Sequence, residues 1–378
     1  MNILKKYGLK RIINALGAYT SLGGSVLSPE VIEAMTQAAK IFVDMDALQE
    51  KAGHVIARIT GAEDAYVTSG CAAALTLATA ACMTEGDPAK IQRLPASDGM
   101  KNEVIIHRGH RNVYDLTFRN AGAKLVEIGL LGSGEISGTN EWELEQAIGP
   151  KTAAVAYVIA SIVISRSSLP LFRVVEIAHE HGVPVILDAA AELPPVSNLK
   201  KFIALGVDLV AFSGGKAIRG PNASGFVCGR KDLITACRAQ GSPHFGIGRP
   251  MKAGKEEIFG LLAAIELYAK KDHEMELVRW EKRLKYILDG VSGLKGVKAQ
   301  RRFPDDTGRP VPMVFLTIDP KTAKQPAHEV VRALEAGDPS IRVLVEEDHG
   351  LETIRFSPIT LLEDDERIIV ERLRAELG

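Results

Sequence analysis

Between Asp64 and Ser213 the chain repeats one alternation: a short β-branched or apolar run, then a stretch with apolar residues at helical spacing, then a turn. DAYVTS precedes CAAALTLATAAC, EVIIH precedes RNVYDLTFRNAG, KLVEIG precedes EWELEQAIG, AAVAYVIA precedes FRVVEIAHEHG, PVILDA precedes NLKKFIALG, and VDLVAFS closes the series. Gly122, Gly182 and Gly206 each stand where a helix should end, directly before the next strand, as expected of a residue that tolerates a left-handed backbone. Strands joined through helices pair in parallel and are covered on both faces. The alternation therefore predicts an α/β fold, a mostly parallel central sheet with helices on both faces.

The flanking segments complete the organisation. SPEVIEAMTQAAK places Ser28 at an N-cap and Pro29 at the first helical position, which suits both residues. DALQEKAGHVIARITG carries a second helical pattern that stops at Gly61. Beyond Gly246, the stretch from Gly254 to Val291 reads as one long charged helix. GVKAQRRF, VPMVFLTI, IRVLVE and TIRFS then read as strands, and HEVVRALEAG and EDDERIIVERLRAEL as helices. This predicts an N-terminal arm at 1–27, a large domain at 28–250, a linking helix at 251–285 and a small C-terminal α+β domain at 286–378.

Composition narrows the function classes. With 46 Lys+Arg against 47 Asp+Glu, no excess charge draws a polyanion or a lipid surface. Cys71, Cys82, Cys228 and Cys237 form no CxxC pair, and a reduced, cytoplasmic chain with buried thiols is expected. No segment approaches the roughly 18 uncharged apolar residues that span a bilayer, and the N-terminus lacks the apolar core of a signal peptide.

Ligands of open α/β sheets bind at the carboxyl ends of strands, and three such ends carry chemistry. After DAYV, Thr68-Ser69-Gly70-Cys71 opens an Ala-rich helix whose free N–H groups can cradle a phosphate. After PVIL, Asp188 stands before three alanines, and after VDLVAF comes Ser213-Gly214-Gly215-Lys216. Val210 and Ala217 occupy positions where a P-loop requires glycine and Ser/Thr, and the run Gly132-Ser133-Gly134 meets Ser137 where a dinucleotide fingerprint requires glycine. Pyridoxal 5′-phosphate needs what converges here: an amine for its aldehyde, a carboxylate for its ring nitrogen, and N–H donors and hydroxyls for its phosphate.

RIINALGAYTSLGG, YVTSGCAAAL, the Asp188 strand and FSGGKAIRGPNASGF together resemble the fold-type-I, aminotransferase-like pyridoxal-phosphate enzymes of the selenocysteine synthase (L-seryl-tRNA selenium transferase) group. LDAAAELPP and GRPMKAGKEEI are most similar to the lyase-like branch that includes D-glucosaminate-6-phosphate ammonia-lyase. The resemblance implies Lys216 as the cofactor's Schiff-base amine and Asp188 as partner of the ring nitrogen. It places Ser69, Gly70, Cys71 and Ser213 around the phosphate, and His110 stacked on the ring. Arg355, Arg219 and Arg249 are the candidate contacts for a substrate anion. Enzymes of this group build their sites between subunits, so a homo-oligomer, a dimer or a multiple of dimers, is expected. Ser21-Leu22-Gly23-Gly24 replaces the Asn-Leu-Gly-Arg of true selenocysteine synthases, and tRNA is not expected as a partner.

Plainer roles stand beside these. Lys216 also reads as a turn lysine, Asp188 and Ser69 as local caps, Cys71 as a small helix residue and Arg355 as a surface arginine. His107 and His110 share no spacing with a carboxylate or cysteine that would make a metal site, so no metal is expected. The resulting expectation is a lyase that abstracts the Cα proton of an amino acid or 2-amino sugar acid and eliminates a β-hydroxyl, releasing ammonia and a 2-oxo acid. A racemase or epimerase, a selenium transferase and a protein that holds the cofactor without turnover are the alternatives.

Overall fold

The computed structural model describes residues 3–132, 138–163, 165–348 and 351–378. Ser133, Gly134 and Ser137, weighed above as a nucleotide motif, lie outside the described residues. The strands described are, in chain order, β1 (Ile12–Asn14), β2 (Asp64–Thr68), β3 (Glu103–His107), β4 (Lys124–Ile128), β5 (Thr152–Val158), β6 (Val185–Asp188), β7 (Leu209–Ser213), β8 (Gly225–Gly229), β9 (Val297–Arg302), β10 (Met313–Ile318), β11 (Ser340–Arg342), β12 (Leu344–Asp348) and β13 (Leu351–Phe356). The chain divides into two units, Leu27–Lys271, and Met1–Val26 with Asp272–Gly378.

The larger unit is built on a sheet of order β2-β8-β7-β6-β5-β3-β4. Strands β4, β3, β5, β6 and β7 pair in parallel, while β8 runs antiparallel to both β2 and β7. Six strands thus share one direction and β8 opposes them. Its residues GFVCG fall outside the predicted alternation. Side chains leave each strand alternately to the two faces, and the core follows: Ile105 belongs to one apolar layer, Val104 and Ile106 to the other. The helix Cys71–Thr84 lies wholly within the second layer, with every residue but Ala72 buried. A helix that is apolar on all sides is a core helix, and its alanines let it lie close to the sheet.

In the smaller unit β12, β13, β10 and β9 form an antiparallel sheet, and β1 pairs in parallel with β11. The N-terminal arm is therefore part of this unit, where Ile13 joins Leu284, Val314, Phe356 and Leu373 in one core. The predicted linking helix is two helices, Lys255–Lys270 and His273–Val291, and the unit boundary falls between them. Asp272 causes the break by accepting the Met275 N–H at 2.9 Å as the cap of the second helix. Among the described residues no helix is long and apolar enough to cross a membrane.

Candidate active site

Strand register brings the phosphate turn and the lysine loop together. Thr68, ending β2, and Ser213, ending β7, both lie opposite Gly225 at the start of β8. A Cβ on Gly225 would sit 2.7 Å from the Cys71 N and Gly70 C atoms and 2.8 Å from the Phe212 O atom. Only glycine lets the helix start lie this close to the strand. Gly70, at φ 138°, caps the helix Cys71–Thr84 without a side-chain acceptor, so the first N–H groups of that helix keep no intrahelical partner and favour an anion. Ser69 and Ser213 stand half-buried on either side of β8.

The loop after β7 is tied back on itself. Gly214 N–H donates to Ser224 O at 2.9 Å, Gly220 N–H to Gly214 O at 2.8 Å, and Arg219 N–H to Lys216 O at 2.9 Å. Arg219 takes a left-handed φ of 59° to close it, a conformation that costs a non-glycine residue some strain. Lys216 is half-buried in this loop, and its charge lowers the proton affinity of both Asp188 and Cys71.

Asp188 ends β6, level with Val158 on β5 and Ala211 on β7. It is 8% exposed. Burial raises its pKa above the usual carboxylate range, against the pull of the Ala190 N–H, Lys216 and Cys71. Ala190 N–H donates to Oδ1 at 3.0 Å, and the Cys71 thiol donates to the same oxygen at 3.6 Å. Both of the hydrogen bonds described for Asp188 fall on Oδ1. The Cys71 side chain thus faces the carboxylate, a contact between residues 117 positions apart.

His110 follows β3 and accepts the Val158 N–H on Nδ1 at 3.3 Å, which places its proton on Nε2, a buried atom without a hydrogen-bond partner. His107 accepts the Leu169 N–H on Nε2 at 3.2 Å. The two imidazoles lie 4.9 Å apart, and the Tyr157 ring meets His110 edge-on at 4.5 Å. Burial pushes His107 down to about 4 and His110 to about 3, so both are neutral near pH 7. His110 is 0% exposed and bonds to Val158, the strand neighbour of Asp188.

Of the candidate arginines, Arg219 and Arg249 belong to the larger unit and Arg355 to the smaller. Arg219 shares the lysine loop, and Arg249 is exposed with its guanidinium 5.8 Å from the Phe245 ring. Arg355, on β13 of the smaller unit, donates to Asp306 at 2.9 Å and pairs with Glu346 at 2.7 Å. A substrate carboxylate on Arg355 must therefore compete with two carboxylates already in place. Sequence reasoning missed β8, the Ala190 N–H and the thiol contact; of these, the glycine-rich GFVCG carried the one local signal, a strand pressed by neighbouring backbone.

A cavity of about 550 Å³ opens at the other end of the strands, lined by Lys101, Thr152, His181, Pro184, Arg230 and Asp232 among others. Its Lys101 and Arg230 are paired with Glu85 and Asp232, and it lies at the amino ends of β5 and β6, away from the carboxyl edge where α/β sheets bind their ligands. Among the described residues no group of three His, Cys, Asp or Glu side chains is placed to hold a metal.

The profile described as SelA, L-seryl-tRNA selenium transferase, matches residues 12–291. The chain is 37% identical to D-glucosaminate-6-phosphate ammonia lyase of Salmonella typhimurium strain 14028s, over 99% of this chain and 97% of that protein. It is 39% identical to a 5′-C-glycyluridine monooxygenase-decarboxylase of a Streptomyces species, over 97% and 90%. The solved structure of D-glucosaminate-6-phosphate ammonia-lyase superposes with a TM-score of 0.85 at 36% identity, covering 99% of this chain and 98% of that one. The fold is fold-type-I, aminotransferase-like, with the antiparallel sheet as its C-terminal part. With the profile spanning both sides of the lysine loop and a relative matched along 99% of the chain, this protein belongs to the L-seryl-tRNA selenium transferase (SelA) family.

Proposed function

We infer that this chain is a pyridoxal 5′-phosphate-dependent ammonia lyase whose substrate is a 2-amino acid of the sugar-acid class. The observation that carries the reading is the placement of a buried carboxylate, Asp188, at the sheet edge that also holds Lys216 and an uncapped helix start, with both of its described hydrogen bonds on Oδ1. The 37%-identical relative is named for ammonia release from an amino sugar acid.

The residues fit the cofactor. Asp188 would accept the ring N–H, the N–H groups opening the helix Cys71–Thr84 would hold the phosphate with Ser69 and Ser213 beside them, and Lys216 Nζ would be the amine for the aldehyde. When bound, the cofactor supplies that aldehyde and a cationic ring that withdraws the electron pair left at Cα. Asp188, ionised, would keep the ring nitrogen protonated, the ring's charge offsetting the cost of burying the carboxylate. Lys216 Nζ would serve as the base that removes the Cα proton. The β-hydroxyl would leave with a proton as water, and addition of water to the resulting enamine, as its imine, would release ammonia and leave the 2-oxo acid. Arg219 and Arg249 serve the substrate anion from the larger unit. The working form is a homo-oligomer of at least two chains, for which Phe42, Val113 and Phe245 provide exposed apolar side chains.

Borohydride reduction of protein isolated from vitamin-B6-supplied cells tests the cofactor, and incubation with 2-amino sugar acids tests the reaction. A reduced adduct on Lys216, absent from Lys216→Ala, is expected, with ammonia and 2-oxo acid formed in equal amounts. A protein without the adduct, or one that inverts Cα without releasing ammonia, refutes the reading.

A further inference from the structure

We propose that the Cys71 thiol is a positioning group for Asp188, donating to Oδ1 so that the carboxylate is held ionised and turned with Oδ2 left for the ring nitrogen. The proposal rests on the cofactor reading above. Cys71 is the first residue of its helix and is 8% exposed. Alanines follow it at 72, 73 and 74, so a small apolar residue would satisfy the packing; the thiol adds a donor. That donor crosses to the end of β6 and joins Ala190 N–H on one oxygen. A carboxylate held from one side by two donors has lost its freedom to rotate, and its second oxygen is aimed by exclusion. Burial holds the Cys71 thiol well above its usual range, so it remains a donor at neutral pH and does not become a competing anion. Lys216, from the loop after β7, and Cys71, from the helix, are the titratable groups whose interactions reach Asp188 among the described residues.

Donors on a carboxylate favour its ionised form. Removing the thiol raises the proton affinity of Asp188, which then draws the proton away from the ring nitrogen and weakens the positive charge on the ring. That charge depresses the pH at which the Lys216–cofactor linkage loses its proton, so the midpoint of its visible absorbance transition moves upward.

The test uses cofactor-loaded protein, titrated by absorbance, for the parent, Cys71→Ala and Cys71→Ser. An S–H is a weak donor, and the expected displacement in Cys71→Ala is about half a pH unit upward. In Cys71→Ser the hydroxyl restores the donor and the midpoint returns to the parent value or below it. An unshifted Cys71→Ala, or a Cys71→Ser that folds like the parent yet keeps the alanine midpoint, overturns the proposal. Should Cys71→Ala not fold, the serine variant decides alone: a midpoint at or below the parent's supports the role, and one above it refutes it. Borohydride adducts on Lys216 in the same samples separate this outcome from failure of the cofactor reading, since a missing adduct in the parent sinks the latter whatever the midpoints do.

Discussion

Replacing Gly225 by alanine loads the point on which the whole site closes. The added Cβ would fall 2.7 Å from Cys71 N and Gly70 C and 2.8 Å from Phe212 O, all of them backbone atoms that no rotamer change can move aside. Relief requires the helix start to back away from β8 by several tenths of an ångström, or the strand to bow. Overpacking of this kind costs about 1–3 kcal/mol, and contact with backbone on two sides places Gly225→Ala in the upper part of that range, about 2–3 kcal/mol. For a unit of the size of Leu27–Lys271, each kcal/mol lowers Tm by about 2–4 °C, so the fall should be about 4–12 °C. The same displacement moves the N–H donors of the helix Cys71–Thr84 relative to Ser213, and cofactor affinity should drop roughly tenfold, or about 1.4 kcal/mol. Calorimetry and cofactor titration measure both. Gly149→Ala is the control, because nothing lies within 4 Å of its Cβ. If Gly225→Ala melts within about 1 °C of the parent and binds cofactor as tightly, the close approach is not what holds the site, and the reasoning fails.

The paired histidines predict a pH dependence of stability. His107 and His110 titrate at about 4 and about 3 in the folded chain and near 6.5 when unfolded, so the unfolded state binds more protons as pH falls. Stability is full above about pH 6.5 and declines below it, by up to about 1.4 kcal/mol per pH unit for each imidazole until its folded pKa is reached. Asp188, raised by burial, acts in the opposite sense at the acid end. Urea midpoints that stay level from pH 7 to pH 5 would show that these rings are solvated. The thiols give a separate readout: burial lifts all four, Cys228 to about 12 and the others also upward. A disulfide reagent at pH 8 should therefore titrate no thiol rapidly in the folded protein and four in urea; a fast first equivalent in the native state contradicts the burial of one of them.

The parts of this structure that sequence exposes are those whose cause is local. Six strands of common direction are legible because each is a short apolar run between helical stretches, and Asp188, Lys216 and Gly70 are legible because each ends or follows such a run. The cap at Asp272 was not read, because the continuous apolar spacing on either side reads as one helix. Strand β8 was hidden for a physical reason. Its Gly225 and Gly229 are glycines because Cys71 and Asp208 backbone atoms press on them, a Cβ on Gly229 falling 1.8 Å from Asp208 O, and glycine in a short segment reads as loop. The burial of His110 was hidden for a similar reason: sequence places a histidine after β3 but says nothing of what covers it.

That hidden strand explains how chemistry from three distant segments can share one edge. A purely parallel sheet would set β2 directly beside β7 only with two helical crossovers to accommodate; inserting β8 against the grain lets the lysine loop return at once beside the strand it left. The loop then pairs Ser213 and Thr68 through one residue, Gly225. The amine and the phosphate turn are thereby held by backbone hydrogen bonds, which are stiff, rather than by side chains, which are not. The carboxylate lacks this support. Asp188 is carried by β6, and its side-chain orientation depends on the Ala190 N–H and the Cys71 thiol. On the proposed reading, strand register would govern whether the cofactor is held, and the contacts at Oδ1 would govern how strongly its ring draws electrons. Substitutions at Gly225 should alter affinity, while substitutions at Cys71 should alter the proton equilibrium at nearly constant affinity.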